Sequence, residues 1–207
     1  MKNTSLIKRL ASYSLFSTTF IFIHNCAVGE VIYTDLEPDI FLTGPYDLYL
    51  FDIDNSGTNE LRFNNFSWTY FSYTNFSYKT RQNIFFSVIE DGVSIAGLKD
   101  FTYYSGKNYY ASALASGQLI NENNHWYNAT DGNSEFVMAA RTYINVGAGT
   151  GTLHCNNCFW YSESIPETIN GYLAIKFNIA EEVHYGWIRC DVLDEGRTLI
   201  IKDYAYE

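Results

Sequence analysis

Oxygen-bearing residues alternate around one glycine in the segment Asp52-Ile-Asp54-Asn-Ser56-Gly57-Thr58-Asn-Glu60. In a calcium-binding loop, alternate positions supply oxygen ligands and a central glycine makes the sharp turn. This pattern predicts four side-chain ligands, from Asp52, Asp54, Ser56 and Glu60. It also predicts one backbone carbonyl ligand, from Thr58. Because the three carboxylates repel one another unless water or a cation screens them, the segment predicts a structural Ca²⁺ site.

The same segment departs from the helix-loop-helix calcium motif. Its twelfth position, where a bidentate Glu is expected, is Phe63, and both flanks (47–51 and 60–63) have the composition of strands. A bound Ca²⁺ is therefore expected to have a Kd on the order of 10⁻⁴ to 10⁻³ M, as in extracellular modules. Asp, Asn, Ser and Gly also close β-hairpins without metal, so a plain turn is the alternative.

An aromatic repeat of period five follows the loop, in Asn65-Phe-Ser-Trp-Thr, Tyr70-Phe-Ser-Tyr-Thr and Asn75-Phe-Ser-Tyr-Lys79. Side chains alternate between the two faces of a strand, so an odd period sends successive repeats to opposite faces unless the strand bulges. One hypothesis is a sugar-stacking platform, since flat aromatic rings suit pyranose rings; it consists of Trp68, Tyr73 and Tyr78. The alternative is ordinary sandwich core on one face and a Tyr-rich surface on the other.

Strands must position these residues. Aromatic residues make up 18% of the chain, only three prolines occur, and no long pattern of helical period is present. The alternation of apolar residues is clearest at the C-terminal end, where it predicts a three-stranded antiparallel meander over residues 172–179, 184–192 and 197–206. Further strands are predicted at 31–34, 47–51, 60–63, 83–89, 135–144 and 159–161, a hairpin loop at 146–152, and at most one short helix, at 111–119.

These elements predict an all-β fold, an antiparallel β-sandwich of jelly-roll-like form, as a single domain over residues 30–207. Residues 1–29 have the basic start, apolar segment and small residues of a secretory signal peptide. A lipoprotein acylated at Cys26 is the alternative, although the preceding Ile-His-Asn lacks the usual small residues. No other stretch approaches the length of a membrane span.

The charge of the chain restricts its partners. Removal of residues 1–29 takes away three of the 13 basic residues and none of the 23 acidic residues, which leaves a net charge of −13. Such a protein repels phosphate backbones and anionic lipid headgroups, so nucleic acid is excluded as a partner. The charge suits solubility and divalent-cation binding outside the cell.

Three cysteines lie beyond the predicted signal peptide. Cys155 and Cys158 are spaced for a local disulfide in an oxidising compartment, which would leave Cys190 as a buried, small hydrophobic residue on a strand face. Half of a zinc site that includes His154 is an alternative, although no second Cys or His pair follows.

The C-terminal residues also carry a resemblance. Tyr172-Leu-Ala-Ile-Lys-Phe177, then Val183-His-Tyr-Gly-Trp-Ile-Arg189 with Asp191-Val192, then Ile201-Lys-Asp-Tyr-Ala-Tyr-Glu207 resemble the ending of a broad set of secreted bacterial β-sandwich exoproteins. Many of those have no assigned function, and many carry a sorting signal at the C-terminus. The resemblance implies secretion or a cell-surface location and a β-sandwich, and it supplies no catalytic residue.

Part of that ending forms a predicted cluster. In His184-Tyr-Gly-Trp-Ile-Arg189, Gly186 is expected to leave room for the rings of Tyr185 and Trp187. Arg189 is expected to stack on these rings or to pair with Asp191 or Asp203. An architectural cluster is the preferred interpretation, because cation-π contacts in folded proteins are usually structural, and a ligand-contacting patch is the alternative.

Three classes of function remain open. A glycosidase or lyase needs two placed carboxylates, and no spacing of that kind connects Glu60, Glu90, Glu135, Glu163 and Asp191. A non-catalytic module that binds a polysaccharide or cell-surface glycan, or that acts as an adhesin, with Ca²⁺ as a structural ion, is the leading hypothesis. A structural exoprotein of envelope or matrix is the alternative.

Overall fold

The computed structural model describes residues 30–73, 76–102, 106–128, 135–146, 149–155, 158–161 and 163–207. Within these residues the chain is all-β, with twelve strands and no helix, which confirms the predicted fold class. The strands are β1 (Ile32–Leu42), β2 (Asp47–Phe51), β3 (Leu61–Ser72), β4 (Ser77–Val88), β5 (Ser94–Thr102), β6 (Gly106–Ala111), β7 (Trp126–Asn128), β8 (Glu135–Val146), β9 (Gly149–His154), β10 (Thr168–Ile179), β11 (Glu182–Leu193) and β12 (Thr198–Tyr206).

The strands form one sandwich-like sheet in the order β1-β12-β11-β10-β5-β6-β8-β4-β3-β2, with β7 beside β5 and β9 beside β8. Every pair is antiparallel except β6 and β8. Strand β5 connects the two halves, because Ser94 and Ile95 pair with β10, whereas residues 97–102 pair with β6. The halves share one hydrophobic core.

Aromatic rings fill much of that core. The rings of Phe51 and Tyr204 are 5.0 Å apart between centroids and bring β2 against β12. Phe63 contacts Phe86, which stacks on Phe136 at 5.3 Å. Burial of a large apolar side chain stabilises a fold by about 1.5 to 3 kcal/mol, so the aromatic content on the inner face contributes much of the stability.

The C-terminal meander is present as predicted. Strands β10 and β11 pair from Ile179↔Glu182 back to Thr168↔Val192, with one register shift. Strand β12 pairs with β11 on one side and with β1 on the other. Since eight of its nine residues are buried, β12 is a central strand of this half of the sheet.

In the predicted cluster around Arg189, the structure forms one of the two expected ion pairs, that with Asp203. Arg189 Nε donates a hydrogen bond to Asp203 Oδ1 over 2.8 Å, and its Nη2 also contacts Asp203. Asp191, the other predicted partner of Arg189, forms an ion pair with Lys202, whose Nζ lies 2.5 Å from Asp191 Oδ2. A Cβ at Gly186 would lie 2.6 Å from the carbonyl oxygen of Ala205, so this glycine allows the close approach of β12. The role expected of Gly186 beside the flanking rings stays a prediction.

Three predicted elements differ in the structure. Residues 111–119 form no helix: β6 ends at Ala111, and Leu114 makes an isolated bridge with Tyr172. The predicted strand at 159–161 is an irregular segment in which Trp160 is fully buried, against Gly171. The predicted hairpin loop at 146–152 is shorter, since Gly149–His154 form β9, which pairs with β8.

Cys155 and Cys158 form a disulfide, and Cys190 is free and buried, as predicted. Burial raises the pKa of the Cys190 thiol far above its usual value, with Asp191 adding to the rise. The predicted signal segment, with Cys26, lies outside the described residues. Among the residues that are described, no helix has the length and apolar character that a membrane span needs.

Candidate cation-binding loop and aromatic hairpin

The acidic loop (residues 52–60) is the connection between β2 and β3. Phe51 pairs with Leu61 in the antiparallel ladder, and the Glu60 N–H donates a hydrogen bond to the Phe51 carbonyl over 3.0 Å. Asn55 and Gly57 have positive φ values of 57° and 91°. Because these conformations suit Asn and Gly, the sequence determines the tight path of the loop. Both flanks are strands, as predicted.

Three of the predicted ligands converge. One carboxylate oxygen from each of Asp52, Asp54 and Glu60 lies within 4.8 Å of the other two. This spacing is compatible with a shared Ca²⁺, whose oxygen ligands lie about 2.3 to 2.6 Å from the ion. The hydroxyl of Ser56 accepts a hydrogen bond from the Thr58 N–H over 3.2 Å. A ligand role for each of the five predicted residues stays a prediction.

Backbone N–H groups also contact the acidic side chains. Asp52 accepts hydrogen bonds from the N–H of Ser56, over 3.1 Å, and from the N–H of Gly57, over 2.8 Å. Asp54 accepts a second bond from the Ser56 N–H over 2.9 Å. Such bonds are typical of turns rich in Asp and Asn, so the loop has an internal framework of its own. The plain-turn alternative therefore remains open beside the cation site.

Glu60 is the unusual member of this group, because its side chain belongs to the core. Only 4% of Glu60 is exposed, and its Oε2 accepts a hydrogen bond from the Ile53 N–H over 2.6 Å. Burial raises the pKa of Glu60 to about 7; the hydrogen bond from Ile53 opposes the rise, and the charges of Asp54 and Asp52 add to it. A cation among the three carboxylates would favour the ionised form instead.

The aromatic repeat folds as a hairpin of β3 and β4, in which Ser72 pairs with Ser77. The first part of β3 buries Leu61, Phe63 and Asn65 on the core face. Beyond Asn65 no residue of β3 is buried. The end of the hairpin, which we call the aromatic hairpin (residues 66–82), therefore contributes no described side chain to the hydrophobic core, although Ser77 is buried.

The three predicted stacking residues are not on one surface. Tyr78 pairs with Phe71 on the continuation of the core face, and the rings of Tyr73 and Tyr78 both contact the Phe71 ring at 5.1 Å. Trp68 is an odd number of positions from Phe71, so it points to the opposite face, where its ring contacts Phe66. Tyr73 is 80% exposed and Tyr78 59% exposed. The reversal of the chain between Ser72 and Ser77 produces this division, because in one continuous strand Trp68 and Tyr78 would share a face.

A shallow hollow of about 540 Å³ lies beside Tyr78. Tyr78 pairs with Asn145 of β8, which contributes to the hollow. Its lining is uncharged and rich in hydroxyl groups, from Thr80, Tyr143, Asn145, Thr150, Gly151 and Thr152. Hydroxyl and amide groups near exposed rings are a composition that suits a sugar ligand.

Two cations of the aromatic hairpin were not predicted from the sequence. Arg81 pairs with Trp68, and Lys79 pairs with Tyr70, so these side chains share the face opposite the core. The reversal of the chain between Ser72 and Ser77 brings these residues together across the two strands, whereas one continuous strand would keep them apart. The signal that could have shown them is the turn composition around Asn75.

Comparison with protein-family models, curated proteins and solved structures finds no match to this chain.

Proposed function

We propose that this protein is a secreted, non-catalytic β domain that binds glycans through its aromatic hairpin and is stabilised by Ca²⁺ in its acidic loop. The observation that carries the proposal is the exposure of Tyr73 and Tyr78 at a hairpin end that contributes no described side chain to the hydrophobic core. Large exposed aromatic side chains that cluster in one place are typical of interaction sites. Aromatic faces pack well against pyranose rings, and the adjoining hydroxyl-lined hollow offers hydrogen bonds.

The calcium part of the proposal rests on Asp52, Asp54 and Glu60. Their converging oxygens put three formal negative charges within 4.8 Å of one another, one of them on a buried side chain. A divalent cation that binds only the folded loop stabilises the fold by mass action. The role of the ion is structural, because the loop holds β2 against β3 and is separate from the aromatic hairpin in sequence.

A polysaccharide pull-down tests the glycan proposal. We expect the wild-type protein to sediment with at least one insoluble polysaccharide and Tyr78→Ala to lose most of this binding, about fivefold or more if one stacking contact contributes about 1 to 3 kcal/mol, as base–aromatic stacking does. Phe41→Ala is the matched control, since Phe41 on β1 is 58% exposed, as against 59% for Tyr78. Equal binding by all three proteins, or no binding by the wild type, would contradict the proposal.

One observation favours the second candidate, a structural exoprotein that assembles with itself. Strand β2 pairs with residues 61–65 of β3, so residues 66–72 have β4 on one side and, among the described residues, no strand on the other. Exposed strand edges usually carry charge or proline against edge-to-edge pairing. Residues 66–72 have neither.

Sedimentation velocity separates the two candidates. If the free edge mediates assembly, wild-type protein forms oligomers at micromolar concentration and Thr69→Lys dissociates them. Thr80→Lys is the control, because Thr80 pairs with Thr69, shares its hydroxyl hydrogen bond of 2.8 Å and lies on the inner strand. A wild-type protein that is monomeric throughout would leave only the glycan-binding candidate.

A further inference from the structure

The β3–β4 hairpin has a charge opposite to that of the rest of the protein. Residues 61–88 contain three basic residues, Arg62, Lys79 and Arg81, and no acidic residue. The chain beyond its predicted signal has a net charge of −13. A positive segment on so acidic a protein attracts an anion locally, while the other surfaces repel it.

The pairing register places these cations on one face. Partners in an antiparallel ladder share a face, and the pairs Trp68↔Arg81 and Tyr70↔Lys79 are two positions apart. Arg62 is also an even number of positions from Trp68 along β3, so it points to the same side. This surface, which we call the outer hairpin face (Arg62, Trp68, Tyr70, Lys79, Arg81), lies opposite the hollow.

Arg81 is held between two rings. Its guanidinium carbon is 5.8 Å from the ring centroid of Trp68 and 5.7 Å from that of Tyr70. Cation-π contacts of this kind restrict the side chain and leave its N–H edge for other partners. Among the described residues no carboxylate forms an ion pair with Arg81 or Lys79, in contrast with the pairs Arg141–Glu195, Arg189–Asp203 and Lys202–Asp191.

From this arrangement we propose that the outer hairpin face binds an anionic polysaccharide whose sugar residues carry carboxylates, that is, a uronate-bearing chain. The inference rests on the proposed glycan-binding function of the aromatic hairpin, and it adds a second binding face, opposite that of Tyr73 and Tyr78, and the class of ligand. The ring of Trp68 stacks on a pyranose, the planar guanidinium of Arg81 pairs with its carboxylate, and Lys79 neutralises a neighbouring sugar. Guanidinium and carboxylate groups match in geometry, so Arg81 provides specificity as well as charge.

Titration calorimetry with matched ligands tests the inference. The probes are short, soluble oligomers of polygalacturonate and of alginate, each beside its esterified, uncharged form, at one fixed calcium concentration. The proteins are the wild type, Arg81→Gln, Lys79→Gln and the control Lys176→Gln. Lys176 on β10 lies 5.5 Å from the Trp126 ring, so the control removes the same charge beside another tryptophan.

We expect the wild type to bind at least one acidic oligomer about tenfold or more tightly than its ester, with an affinity that falls as salt is added. Arg81→Gln and Lys79→Gln should lose most of this preference, and Lys176→Gln should keep it. Equal affinity for acid and ester would overturn the inference and leave glycan binding intact. No binding to any of the four oligomers would also overturn it, and the polysaccharide pull-down then decides separately whether glycan binding itself fails.

Discussion

The side-chain amide of Asn55 donates a hydrogen bond to the phenolic oxygen of Tyr204 over 3.4 Å, and so connects the acidic loop to the last strand. Tyr204 is also in ring contact with Phe51, which precedes the loop. On the same strand, burial raises the pKa of Tyr206, and the nearby carboxylates of Asp54 and Asp52 add to the rise. The conformation of the loop and the packing of β12 therefore depend on each other.

Calcium should stabilise the fold through this connection. We expect millimolar Ca²⁺ to raise the melting temperature of chelator-treated protein by about 3 to 6 °C, the shift that corresponds to a ligand at ten times its Kd. Asp54→Ala should remove the shift, because it removes one of the three converging carboxylates. Asp91→Ala, at an exposed position in the turn between β4 and β5, is the control and should keep it. No shift in the wild type up to tens of millimolar would mean that the loop is a plain turn.

The stability of the metal-free protein should depend on pH through Glu60. The pKa of Glu60 is raised in the folded protein to about 7 from an ordinary value of 4.5. Between these values the folded state binds more protons than the unfolded state, so this contribution is complete below the ordinary pKa and is lost as the pH rises through 7. Denaturant titrations in chelator should show the decline, and Glu60→Gln should lessen it. A decline of equal size in Glu60→Gln would contradict the assignment.

The thiol of Cys190 should be inert in the folded protein. It is fully buried, and its raised pKa leaves little reactive thiolate near neutral pH. For the chain without residues 1–29, which contain Cys26, we expect no labelling by a thiol reagent under native conditions and one equivalent after unfolding without reductant, since Cys155 and Cys158 are bonded to each other. Rapid labelling of the native protein would show that β11 opens locally.

The C-terminal strand should be integral to the fold. Deletion of residues 197–207 removes β12, exposes the edges of both β11 and β1, and unpairs Arg189 by removing Asp203. Each buried apolar side chain lost costs about 1.5 to 3 kcal/mol, against a total stability of only about 5 to 15 kcal/mol. We expect calorimetry to show no cooperative transition. A deletion variant that melts cooperatively near the wild-type temperature would show that the segment is a detachable tail.

The sequence was sufficient for the elements whose pattern is regular and local. The C-terminal meander was predicted because Leu173, Ile175 and Phe177 alternate with polar residues, and the acidic loop because its oxygens alternate around Gly57. Both patterns arise within one or two adjacent strands.

Elements whose conformation is set by a partner strand or by tertiary packing were not predicted. Strand β9 contains Gly149 and Gly151, and it is extended because β8 supplies its hydrogen bonds. The segment with Trp160 has strand composition, yet its ring fills space left by Gly171, a residue of β10. The division of the stacking residues between two faces required the position of the hairpin turn. Local propensity is weak evidence wherever packing decides the conformation.

Glycan-array binding, with calcium and with chelator, tests the proposed function most directly. We predict that the wild-type protein binds a defined subset of glycans in calcium, that chelation weakens the binding by destabilising the fold, and that Trp68→Ala or Tyr78→Ala reduces it while Phe41→Ala does not. Folding of each variant is checked by its melting temperature. A folded wild-type protein that binds no glycan under either condition, or hairpin variants that bind as well as the Phe41→Ala control, would contradict the proposal that this domain recognises glycans through residues 66–82.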